Sequence, residues 1–128
     1  MAKILLVDDD QQVRNMLKLT LERAGHAIVE ADNGNIAVQK FQRNDIDLVI
    51  TDIVMPEKEG IETIMELRSL DPAVKIIAIS GGGRINPDDY LNWARRFGVR
   101  HTFKKPVDRA QLLEAINELL VKECVPES

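Results

Sequence analysis

Four short stretches of the chain carry side chains that could do chemistry together. Three carboxylates stand in a row at Asp8-Asp9-Asp10, a fourth follows at Thr51-Asp52, a hydroxyl stands at Ser80-Gly81, and ammonium groups come at Lys104-Lys105-Pro106. Carboxylates brought close together repel one another unless a cation joins them. Hard carboxylate oxygens suit Mg²⁺, or Mn²⁺ in its place, and Mg²⁺ keeps several waters and is completed by phosphate oxygens. A hydroxyl and an ammonium are natural partners for those phosphate oxygens. The set therefore fits phosphoryl transfer, in which catalysis is mostly positioning and charge neutralisation, with a carboxylate as the attacking group. Taken singly, each stretch has a structural explanation: a turn and helix cap for the three aspartates, a strand end for Asp52, a small polar residue at Ser80, a solvated charge at Lys105. Their joint occurrence is what needs explaining. A nucleotide-binding P-loop is excluded, because Gly81-Gly82-Gly83 lacks the Gly-Lys-Ser/Thr ending.

Each of the four stretches lies just after a short apolar run. Ile4 to Val7, Leu48 to Ile50 and Ile76 to Ile79 are continuously apolar, the pattern of central parallel strands covered on both faces. Ala27 to Ala31 and Val99 to Lys104 are more polar and read as edge strands. Helical spacing fills the intervals. Val13, Met16, Leu17, Thr20, Leu21 and Ala24 share one helix face, and Gly25 supplies the stop. Asn33-Gly34 opens a second helix ending near Phe41. Ile61, Ile64, Met65 and Arg68 mark a third; Tyr90, Trp93, Ala94 and Phe97 a fourth, closed by Gly98. Leu112, Leu113, Ile116, Leu119 and Leu120 mark a fifth, with Asp108 as N-cap and Gln111 placed to reach back. Five strands alternating with five helices predict an α/β fold: an open parallel sheet with helices on both faces and right-handed crossovers. Ligands of such sheets bind beyond the carboxyl ends of the strands, where the four stretches stand. If strands one and three are neighbours, Asp8, Asp9 and Asp52 converge.

The bulk composition narrows the class. A chain of 128 residues, 45% hydrophobic and 30% charged, can bury a core without disulfides and is not disordered. A formal net charge of −4, with Arg95-Arg96 and Lys104-Lys105 as the only adjacent basic pairs, argues against direct nucleic-acid binding. The lone Cys124 forms no internal disulfide and fits a cytoplasmic setting. The apolar run after Met1 is too short for a signal peptide or membrane span. One domain over 1–128 is expected, with a core of about 3–122 and a tail at 123–128. The aromatic stripe of the fourth helix reads as packing, and His26 and His101 are given no role.

At this point the sequence resembles the receiver domains of two-component response regulators. The likeness rests on Ile-Leu-Leu-Val-Asp-Asp at 4–9, Asp52 followed by Met55-Pro56, Gly60, Ser80 and Lys105-Pro106, and covers roughly residues 3–122. It implies a doubly wound, flavodoxin-like sheet in the order 2-1-3-4-5. It implies that Asp52 accepts a phosphoryl group from a histidine kinase or phosphotransfer protein. Asp9 and Asp52 would ligate Mg²⁺ directly, Asp8 mainly through water, and the Val54 carbonyl would complete the protein's share. Ser80 would bind a phosphoryl oxygen and move toward it on activation; Lys105 would pair with the phosphoryl group, with a cis peptide to Pro106. Lys104, pointing the other way from its strand, would not be the active lysine. The resemblance implies no enzyme activity beyond the domain's own phosphorylation and dephosphorylation. Signalling would pass through the face of the fourth helix, fifth strand and fifth helix to an effector protein or output domain, homodimerisation on phosphorylation being one form of it.

Three features depart from the family's common pattern. Thr102 stands where many receivers carry Tyr or Phe, and Phe103, one position on, should face the other side of its strand. Gly81-Gly82-Gly83-Arg84 is glycine-rich, and a loop over 81–89 that orders on phosphorylation is expected. Glu59 replaces an Asp before Gly60. Two other functions compete. A haloacid-dehalogenase-type phosphatase needs an Asp two residues after its nucleophile, where this chain has Val54. A receiver-like module that is never phosphorylated would not need the full residue set.

Overall fold

Apolar strands without polar alternation must be covered on both sides, and the three central strands of this chain are. The computed structural model describes residues 2–53, 60–80, 92, 96, 98–99 and 101–124. Strands β1 (Lys3–Val7), β2 (Ala27–Ala31), β3 (Leu48–Asp52), β4 (Ile76–Ser80) and β5 (His101–Lys104) form one parallel sheet in the order β2-β1-β3-β4-β5. The helices among the described residues are α1 (Gln11–Arg23), α2 (Gly34–Arg43), α3 (Gly60–Leu70) and α4 (Arg109–Cys124). The fourth of the five helices expected from sequence falls mostly outside the described residues, though Asn92 and Arg96 within it are helical.

Successive side chains on a strand point to opposite faces, so each central strand feeds two cores. Ile4, Leu6, Leu48, Ile50, Ile77 and Ile79 are buried on one face against Leu17 and Leu21 of α1 and Leu112 and Ile116 of α4. Leu5, Val7, Val49 and Ala78 are buried on the other against Ala37 of α2 and Ile64 and Leu67 of α3. The sheet is therefore wound on both faces, as the alternation of elements requires. β2 and β5 are the edges, as their polarity predicts; Phe103 packs into the α1/α4 core, on the side opposite that set by Ala78, the register partner of Thr102.

Local chemistry fixes the element ends. Asp10 caps α1 by accepting from the Gln12 and Val13 amides at 2.9 and 3.3 Å, and Asn33 caps α2 through Ile36 N–H at 2.9 Å. Asp108 accepts from Gln111 N–H at 3.0 Å at the start of α4. Gly25 closes α1 at φ +94°, a backbone conformation that side chains resist. Met65 is exposed, while Thr63, Ile64 and Leu67 are buried. Ile64 and Leu67 are three apart on the stripe facing the sheet, and Met65 lies about 100° round the helix from Ile64.

Candidate functional site

The register places the four chemical stretches at one edge of the sheet. Val7 pairs with Thr51, Asp52 with Ile79, and Ser80 with Lys104. The residues next in line, Asp8, Asp52, Ser80 and Lys105, thus share the carboxyl end of three adjacent strands and the fourth beside them. β3 and β4 run buried throughout, so Asp52 and Ser80 are buried with them, at 2% and 1% exposure. Asp8 is fully buried and Asp9 is exposed.

Oxygens of Asp8, Asp9 and Asp52 lie within 4.8 Å of one another, close enough to share one cation. Lys105 reaches into the cluster. Its Nζ donates to Asp52 Oδ2 at 2.9 Å and stands 2.9 Å from Asp8 Oδ2. The contact to Asp8 is an ion pair without hydrogen-bond alignment, which leaves Asp8 Oδ2 short of a proper donor. Lys105 is held in place at its backbone, where its N–H donates to the Ser80 carbonyl at 2.8 Å, and its peptide to Pro106 is cis, as expected. Lys104 is exposed. The Ser80 hydroxyl is buried and has no hydrogen-bond partner among the described residues. A buried polar atom left in this way costs about 1–3 kcal/mol, and such orphans call for a functional explanation.

Electrostatics at the cluster follow from burial. Desolvation pushes the Asp8 carboxyl above the usual carboxylate range, although Lys105 and the Asp10 amide act against it. Burial pulls the Lys105 ammonium down, but bonding to Asp8 and Asp52 outweighs that and holds it above the ordinary lysine value. Among the described residues, the ammonium that pairs with this acidic cluster is that of Lys105.

All the side chains expected at the site from sequence are brought together: Asp8, Asp9, Asp52, Ser80 and Lys105. Asp10 stands apart from the cluster as the α1 cap. Val54, Met55-Pro56, Glu59 and the 81–89 loop lie outside the described residues, as do Tyr90, Trp93, Ala94 and Phe97. Sequence reasoning passed over Arg14. It lies on α1 and donates through Nη1 to the Asp8 carbonyl at 2.7 Å. The only available signal was a charged residue one turn after a capping aspartate, which is too common to single out.

The comparisons with known proteins bear on this geometry. A family model described as the response regulator receiver domain matches residues 4–117. This chain belongs to the response regulator receiver domains. The receiver is 36% identical over 121 residues to the chemotaxis protein CheY of Halobacterium salinarum, covering 94% of this chain and 98% of that one. A crystal structure of a response regulator receiver domain protein from Clostridium thermocellum superposes with a TM-score of 0.87 at 30% identity, covering 96% and 97% of the two chains. The response regulator TrrA of Thermotoga maritima, solved in complex with Mg(2+)-BeF, gives a TM-score of 0.79 at 32% identity, over 93% and 99%. The phosphatase and the never-phosphorylated module are not favoured by these matches. No described helix is long and apolar enough to cross a membrane.

Proposed function

We propose that this receiver takes a phosphoryl group on Asp52 from a histidine kinase or phosphotransfer protein, with Mg²⁺ held by Asp8, Asp9 and Asp52. One observation carries the reading: three carboxylates offer oxygens within 4.8 Å of one another, an ammonium is already on Asp52, and the buried Ser80 hydroxyl at the end of the neighbouring strand has no partner among the described residues. The donor set fits a hard divalent ion, being all oxygen and two-thirds buried. When bound, Mg²⁺ would neutralise the acidic cluster and the charge on the incoming phosphoryl group.

The chain's own residues do the rest. Asp52, as the carboxylate, presents an oxygen to the phosphorus in line with the departing group. Lys105, released from its bond to Asp52 Oδ2, pairs with a phosphoryl oxygen instead. Ser80 donates its unpartnered hydroxyl to another. The Val54 carbonyl is assigned to the metal by family likeness alone. The domain acts on no other substrate; it catalyses only its own phosphorylation and hydrolysis. The TrrA complex with Mg(2+)-BeF supports the choice of metal and of phosphoryl-like ligand. Output runs through β5, α4 and the helix carrying Asn92 and Arg96, to an effector protein, an output domain or a second copy of the receiver.

Incubation with acetyl phosphate tests this. Intact mass should show one added phosphoryl group on the wild-type protein in Mg²⁺, none in EDTA and none on Asp52→Asn. No adduct from acetyl phosphate or any kinase would defeat the reading, and repeated turnover of small phosphate esters would favour a phosphatase.

A further inference from the structure

We propose that Arg14 is a positioning residue of the metal site, fixing the peptide plane that joins Asp8 to Asp9. A helical side chain leans toward the helix N-terminus, and Arg14, one turn into α1, leans back over the loop that precedes it. Its Nη1 donates to the Asp8 carbonyl at 2.7 Å, and its Nε to Glu30 Oε1 at 3.3 Å. The Asp8 carbonyl belongs to the Asp8–Asp9 peptide, so the guanidinium sets the direction in which Asp9 leaves the strand. Asp9 has no burial to hold it there, being exposed.

The other end of the guanidinium is anchored. Glu30 sits on β2, its side chain also pairs with Lys18 at 3.4 Å, and its carbonyl accepts from Lys40 of α2. Arg14 is mostly buried, with 15% of its side chain exposed, and Glu30 is half-buried at 31%. Asp8 is tied at three further points: its N–H to the Ala31 carbonyl at 3.1 Å, Oδ1 to the Asp10 amide at 2.9 Å, and Oδ2 beside Lys105. Among the described residues, the bond that reaches the Asp8 carbonyl comes from Arg14. Groups that orient ligands in this way typically carry 10–100-fold in metal affinity.

The inference rests on the proposed metal site but not on phosphorylation, and its sign separates it from simple electrostatics. Arg14 is a cation near a cation site, so removing its charge would by Coulomb's law tighten Mg²⁺ binding. Positioning requires the opposite. Mg²⁺ titrated by calorimetry into Arg14→Gln should bind at least about 10-fold more weakly than wild type. Arg14→Lys keeps the charge but cannot span both Asp8 and Glu30, so it should weaken binding as well. In the metal-free protein both variants should speed amide exchange at Asp9 and Asp10. Arg14→Lys, the milder change, decides the matter if Arg14→Gln does not fold. Equal or tighter Mg²⁺ binding by the folded variants overturns the proposal. So does weaker binding with Asp9 and Asp10 exchange unchanged. If wild type binds Mg²⁺ but never gains a phosphoryl group, the functional reading fails and this inference is still decided by its own readouts.

Discussion

Asp8 is a carboxylate buried at 0% exposure, and its carboxyl is raised by desolvation. A group whose folded-state pKa is raised lends stability below its ordinary value of 3.8 and loses it as pH climbs through the higher folded value. The metal-free receiver at neutral pH therefore bears the cost of an ionised Asp8. Asp8→Asn keeps an oxygen for the Asp10 amide and removes that cost. In EDTA its Tm should rise at pH 7 and converge on wild type in acid, while its Mg²⁺ affinity falls; a lower Tm at pH 7 would mean that the pair with Lys105 outweighs burial. Lys105 presents the complementary case, since removing it takes away the ammonium that pairs with two buried carboxylates, Asp8 and Asp52. Lys105→Ala should cost on the order of 2 kcal/mol in EDTA, below the figure for a fully buried pair because Lys105 is 19% exposed. Mg²⁺ should recover much of that loss in urea unfolding, and an unchanged midpoint in EDTA would contradict the account.

The elements that place these residues depend on their caps as well as their cores. Asp10 belongs to the acidic triplet in sequence but serves α1 in the structure. Asp10→Ala should lower stability by about 1 kcal/mol, as lost caps do, and leave Mg²⁺ affinity near that of wild type. A large fall in Mg²⁺ affinity would place Asp10 among the ligands. The strands β1, β3 and β4 were legible because burial on both faces makes a strand apolar along its whole length, as Ile4 to Val7 illustrates. β5 was legible only as an edge, since His101, Thr102 and Phe103 are half-buried. Its start was placed two residues early, at Val99, which is buried but outside the strand. Spacing alone does not say which of the adjacent apolar residues Ile64 and Met65 turns inward; in the structure it is Ile64.

At the scale of the molecule, the sheet supplies the address and the residues supply the chemistry. Alternating apolar runs and helical patterns establish the class of fold, but the order 2-1-3-4-5 came from family likeness; nothing in the apolar pattern says which buried strand neighbours which. Once that order holds, the convergence of Asp8, Asp9 and Asp52 follows from register. Arg14 stayed hidden because its role lies in a bond to a backbone carbonyl, which no side-chain pattern encodes. A ligand that binds only the folded state stabilises it by mass action, about 2.7 kcal/mol at a hundredfold excess over Kd. Mg²⁺ should accordingly raise Tm in a concentration-dependent way for wild type, much less for Asp9→Asn, and an identical rise in both would move the metal elsewhere.

The central claim is that the phosphoryl group resides on Asp52. The direct measurement is to phosphorylate the receiver with acetyl phosphate and Mg²⁺, reduce the acyl phosphate with borohydride to homoserine, and sequence the peptides by tandem mass spectrometry. The account predicts homoserine at position 52 and at no other aspartate, dependent on Mg²⁺ and lost in Asp52→Asn. Homoserine at Asp8 or Asp9, or a phosphoryl adduct that borohydride leaves in place, would contradict it.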